Sequence, residues 1–141
     1  MSHNQRRYDG FTQKFNNMSQ QIIVTTGIYD LIKDQIRRKR VSFAEETLLA
    51  MELKNAKQVR RRELPAEVVT VNRRVTVKDH TQNKEETFIF VPTTKERKKK
   101  GKISIMSEIG IAIVGYKEGD IIDWPFRNGE RTIEITKVEA I

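Results

Sequence analysis

The chain has 141 residues, of which 37% are hydrophobic and 33% charged, with a formal net charge of +8. It holds no cysteine, which excludes disulfides, thiolate nucleophiles and zinc–cysteine clusters. No apolar run approaches the roughly 20 residues of a membrane span, and the first twenty lack the apolar core of a secretory signal, so a cytoplasmic setting is expected.

Residues 1–21 are polar and rich in Asn and Gln, the composition of a loosely ordered extension, with Met18 a second candidate start. From Ile28 the period is helical. Ile28, Leu31, Ile32 and Ile36 repeat at three and four, one stripe of an amphipathic helix. Thr25 or Thr26 can cap its start, and Arg37, Arg38, Lys39 and Arg40 end it where cations suit the helix dipole. Ser42-Phe43-Ala44-Glu45 then reads as a capping box opening a second helix. That helix is expected from Phe43 to about Arg61, with Leu49, Leu53 and Ala56 in one apolar row and Pro65 as its stop. So short a turn makes the helices antiparallel. Residues 22–63 are therefore predicted to form an αα-hairpin, a prong roughly 20 to 30 Å long at about 1.5 Å per residue.

After Pro65 the period becomes two. Arg73 to Asp79 alternates around Val75 and Val77, His80 to Lys84 is turn chemistry, and Glu86 to Val91 is the returning strand. Pro92 to Lys102 reads as a basic loop. Ser107 caps a short apolar helix, Ile109 to Val114, which ends at Gly115. Two further strands, Asp120 to Trp124 and Arg131 to Ile135, flank a turn carrying Asn128-Gly129. The fold class is α+β: the hairpin plus, over residues 64–141, a small antiparallel sheet crossed by one short helix.

Charge is unevenly placed. Met1 to Arg62 carries 13 basic and 6 acidic residues, the remainder 14 and 13. Two cationic foci result, Arg37 to Arg40 and Lys98, Lys99 and Lys100, which favour an anionic partner: nucleic acid or an acidic protein surface.

The segment Ile103-Ser104-Ile105-Met106-Ser107-Glu108-Ile109-Gly110-Ile111-Ala112-Ile113-Val114-Gly115 resembles the C-terminal signature of Gre transcript-cleavage factors. Gly119-Asp120, Pro125, Asn128-Gly129-Glu130 and the closing Lys137-Val138-Glu139 continue it in order. The resemblance implies an FK506-binding-protein-like fold for residues 64–141 and RNA polymerase as partner, bound at or near its secondary channel. It puts Ser107, Glu108, Ile109 and Gly110 in the docking loop, with Glu108 where the family has proline. It also implies a hairpin tip bearing a D-x-x-E pair that helps hold a magnesium ion. Here that tip reads Ser42-Phe43-Ala44-Glu45, followed by Glu46, so the first carboxylate is a hydroxyl and the capping box accounts for Ser42 and Glu45. The short hairpin, and the join from Glu63 to Val75, look more like the regulator of nucleoside diphosphate kinase, a Gre relative that does not stimulate cleavage.

Little else carries chemistry. His80 beside Asp79 reads as a turn residue rather than an acid–base pair, and there is no glycine-rich phosphate loop. Phe88, Phe90, Trp124, Phe126 and Tyr116 could line an isomerase pocket, but strand positions make core packing the ordinary reading. The expectation is a transcription elongation regulator that is not an enzyme, with no cofactor, metal, membrane or small-molecule substrate. The alternative is a nonspecific nucleic-acid-binding module on the same fold, holding its ligand weakly and mainly by charge.

Overall fold

The computed structural model describes residues 21–141, so the expected extension lies almost wholly outside the described residues. A short strand, β1 (Ile23–Thr25), runs directly into helix α1 (Thr26–Arg37). Thr25 is the cap, its hydroxyl accepting the Ile28 N–H at 3.3 Å. At the other end Arg40 donates to the Gln35 carbonyl and Lys39 adopts φ 57, the left-handed turn that closes a helix. Helix α2 (Phe43–Asn55) starts with the expected capping box. Ser42 Oγ accepts the Glu45 N–H at 3.1 Å, and Glu45 Oε1 accepts the Ser42 N–H at 2.9 Å.

The second helix stops earlier than its apolar row suggests. It ends at Asn55 rather than near Arg61, and β2 (Lys57–Val59) follows, paired in parallel with β1. The physical reason is competition for backbone partners. Lys57 donates to the Ile22 carbonyl at 2.9 Å, and the Asn55 side chain takes the Met51 carbonyl at 3.3 Å, so the chain leaves the helix well before Pro65.

The second half is a five-stranded sheet built from β3 (Arg73–Asp79), β4 (Lys84–Val91), β5 (Lys102–Ser104), β6 (Ile121–Phe126) and β7 (Gly129–Ala140). Their order is β5-β4-β3-β7-β6. Every pair is antiparallel except β4–β5, so the sheet is mixed rather than wholly antiparallel. The stretch Pro92 to Lys102 forms two 3-10 turns, at Thr93–Lys95 and Lys98–Lys100, and returns along β4 as a three-residue edge strand, too short to show a period of two. Asp79 organises the β3–β4 turn by accepting the N–H groups of Thr81 and Gln82. Phe126 faces Gly129 across the last hairpin, so its two turn residues are Arg127 and Asn128, one position earlier than Asn-Gly alone suggests. Helix α3 (Glu108–Ile113) precedes β6.

One core runs through both halves. Ile28, Ile32, Leu49 and Leu53 from the hairpin join Val75, Phe90, Ile113, Trp124, Ile133 and Ile135 in a single buried cluster. Burying each such side chain contributes about 1.5–3 kcal/mol, so the hairpin is held mainly by the sheet unit. The expected prong does not project: the hairpin lies against the sheet, and Glu45 near its tip meets Trp124. Gly115, at φ +88, sets the approach. A Cβ there would meet the side chains of Ile22 and Val24 at 2.9 Å, and the Gly115 carbonyl accepts the Ile23 N–H at 3.1 Å.

Candidate docking surface

The rim around α3 gathers most of the docking residues that the sequence singles out. Ser107 is the N-cap, Oγ accepting the Gly110 N–H at 3.2 Å. Glu108 turns toward the β6–β7 turn, where Oε2 accepts the Arg127 N–H at 2.6 Å. The carboxylate standing at the family's proline position thus ties the loop to a neighbouring turn by a charge-assisted bond. Gly110 is buried beneath, where a Cβ would fall 2.3 Å from the Ile105 carbonyl oxygen, so no other residue fits.

Ser107, Glu108 and Ile109 border a groove of about 280 Å³ floored by Phe88, Ile103 and Phe126. Lys98 and Arg131 supply its cations. Arg131 lies 4.1 Å over the Phe126 ring and donates from Nε to Asp79 Oδ2 at 2.8 Å, which fixes its guanidinium. Glu96, also on the rim, accepts the Ser104 N–H at 2.9 Å and pins the basic turn to β5. An apolar floor with fixed charges at its edge can hold side chains of a partner. His80 bonds Glu134 through Nε2 at 2.8 Å while Asp79 holds Arg131, so the two neighbours form no acid–base pair.

The tip residues do not converge. Glu45 is buried, 5% exposed, and both its oxygens are committed: Oε1 to the Ser42 N–H and Oε2 to Trp124 Nε1 at 2.9 Å. The Ser42 hydroxyl holds the Glu45 N–H, and Glu46 faces Lys39 Nζ at 3.5 Å. These donors do not fit the magnesium that the family pattern implies, because no pair of free carboxylates faces one point. Among the described residues no group of three or more His, Cys, Asp or Glu side chains could hold a metal.

Sequence reasoning missed Glu52. It is buried, and Tyr116 Oη donates to its Oε2 at 2.6 Å. Burial pushes the Glu52 carboxyl up to about 8, with the Tyr116 hydrogen bond opposing part of the rise. Burial and the neighbouring Glu52 raise the Tyr116 hydroxyl in turn. The available signal was spacing, since Glu45 and Glu52 fall on the same helical face as Leu49 and Leu53.

The two cationic foci differ. Arg37 and Arg38 both reach Asp34 and Lys39 reaches Glu46, so the first run is partly neutralised in place. Lys98 to Lys100 form an exposed turn closed by Gly101 at φ 73, and only Lys98 reaches the groove.

A helical hairpin sharing one core with a mixed five-stranded sheet, and a capped helix on its rim, define a small α+β protein. The family model described as "Transcription elongation factor, GreA/GreB, C-term" matches residues 64–140. Transcription elongation factor GreA of Clostridium botulinum (strain Alaska E43 / Type E3) is 32% identical over 134 residues, covering 91% of this chain and 83% of that protein. GreA of Clostridium beijerinckii is 30% identical over 130 residues, covering 88% and 81%. A solved prokaryotic transcription elongation factor GreA/GreB from Nitrosomonas europaea superposes with a TM-score of 0.60 at 26% identity, covering 85% of this chain and 98% of that one. The chain belongs to the GreA/GreB family of transcription elongation factors.

Proposed function

We propose that this protein regulates elongation by binding RNA polymerase at or near its secondary channel, as a binding factor and not an enzyme. The observation that carries the reading is the α3 rim. Ser107, Glu108 and Ile109 sit together around one groove, with Lys98 beside them, in the segment that matches the Gre C-terminal family. The finer fold reading, an FK506-binding-protein-like sheet, belongs to the same proposal.

The protein leaves transcript cleavage unstimulated. Glu45 is committed to Trp124 and the capping box, and the helices of 12 and 13 residues span only about 18–20 Å. The 141-residue chain should be captured by core RNA polymerase. Ile109→Asp on the groove should weaken capture about tenfold or more, by placing a charge on an apolar contact. Neutralising Lys98, Lys99 and Lys100 together should chiefly slow association, since steering follows the field. In a stalled, backtracked complex with magnesium, labelled RNA should keep its length whether or not the protein is added. Magnesium-dependent shortening lost in Glu45→Ala overturns the non-enzymatic reading. Binding to free DNA or RNA with steep salt dependence, and none to polymerase, favours the nucleic-acid module instead.

A further inference from the structure

A second concavity, at the junction of hairpin and sheet, is used by neither the rim nor the tip. It encloses about 600 Å³, within the ~300–1,000 Å³ range of small-molecule sites, and its wall includes Thr25, Arg61, Leu64, Thr70, Asn72 and Arg73. An adjoining hollow of about 480 Å³ shares Thr25 and Arg61 and adds Thr26 and Arg60.

Four features point to one kind of ligand. Arg73 is held in place from one side, Nη1 donating to the carbonyls of Pro65 at 2.7 Å and Val68 at 2.6 Å. Its remaining donors have no partner among the described residues, so part of its fork stays open. Arg61 stands near it with no ion pair among the described residues; burial first, and then the Arg61 charge, hold the Arg73 guanidinium below its usual range, with the Glu67 carboxylate opposing part of the fall. Thr70 lines the cavity, and its hydroxyl makes no hydrogen bond among the described residues, so it is open to an occupant. Last, α1 begins here with no acidic residue in its first turn, so the Thr25 hydroxyl is the one side chain that answers the positive end of its dipole among the described residues. Glu63, the acid on the adjoining wall, already accepts the Arg60 N–H at 3.0 Å.

We propose that this junction binds a small phosphorylated ligand of nucleotide size, its phosphates held by Arg61, Arg73 and Thr70 near the start of α1. Guanidinium forks match phosphate oxygens in pairs, and Leu64 and Val71 offer apolar contact to the rest of the ligand. The walls come from β1, the Arg61–Glu63 turn, the segment leading into β3, and Ala140 and Ile141 at the end of β7, so an occupant braces hairpin against sheet.

Isothermal titration of the full chain with inorganic pyrophosphate, ADP and GDP tests this. Saturable one-to-one binding is expected, tighter for a nucleoside diphosphate than for pyrophosphate. Arg61 is exposed, so Arg61→Ala should fold normally and weaken binding about tenfold. Thr70→Val should cost about threefold and Lys98→Ala nothing. No saturation at millimolar ligand, or Arg61→Ala without effect, overturns the site. Pyrophosphate binding that a nucleoside does not improve overturns the nucleotide-sized ligand. A short single-stranded oligonucleotide that binds more tightly than either diphosphate, and is weakened equally by Arg61→Ala and Lys98→Ala, shows instead a general backbone-binding face.

Discussion

The two helices of the hairpin are nearly equal in length but differ in how their buried faces are specified. In α1 the inward positions are Ile28 and Ile32, with Ile36 and Tyr29 packed alongside. In α2 the inward positions are Glu45, Leu49, Glu52 and Leu53, while Phe43 stands 84% exposed. An apolar stripe buries itself against any apolar surface. A stripe containing two carboxylates can be buried only where donors wait for them, because an unpaired buried carboxylate costs several kcal/mol. Those donors are Trp124 Nε1 and Tyr116 Oη, 79 and 64 residues further along the chain. The first helix is thus specified locally, the second by the sheet it lies on.

The largest effects come from the shared core. Ile32→Ala and Leu49→Ala should each cost about 2–5 kcal/mol in urea unfolding, since both residues are fully buried. Both variants should unfold in one transition, because hairpin and sheet share one cluster. Two separate transitions would show that the helices stand apart from the sheet.

The next effect separates the hydrogen bond from the charge. Glu45→Ala strands the Trp124 N–H and removes the capping box, for about 2–4 kcal/mol in total. Glu45→Gln keeps an acceptor and should cost about 1 kcal/mol. Trp124 is the single tryptophan, so its fluorescence reports the change directly. Equal losses in the two variants would mean that charge, not the acceptor, is what α2 contributes here.

The smallest effect depends on pH. The folded Glu52 carboxyl sits at about 8 against an ordinary value of 4.5, so the folded state holds the proton more tightly than the unfolded state. Its contribution is fully present below about 4.5 and declines as pH rises to about 8. Glu52→Gln removes that decline and should leave the protein about 1–3 kcal/mol more stable than wild type near pH 9, with little difference near pH 5. Parallel stability profiles for the two proteins between pH 5 and 9 would contradict this account.

Much of the architecture was legible because its signals are local. The Thr25 cap and the three–four repeat of α1, the Ser42–Glu45 box, the alternation around Val75 and Val77, and the Ser107 cap of α3 each involve residues within a few positions of one another. The candidate docking rim was legible in part. The motif marked Ser107 to Gly110, yet the Glu108 bond to Arg127 spans 19 positions and no pattern in the sequence encodes it.

What tertiary structure alone decided lies at longer range. The end of α2 follows from β1 and β2 meeting across 34 positions, and β5 exists because its chain returns to the edge of β4. The hairpin lies down because Trp124 and Tyr116 reach carboxylates that, by composition alone, belong in water. Caps and periods follow from the backbone geometry of one segment, and a sequence states them directly. Whether a polar group is buried depends on the partner it meets, and only the folded chain brings the two together.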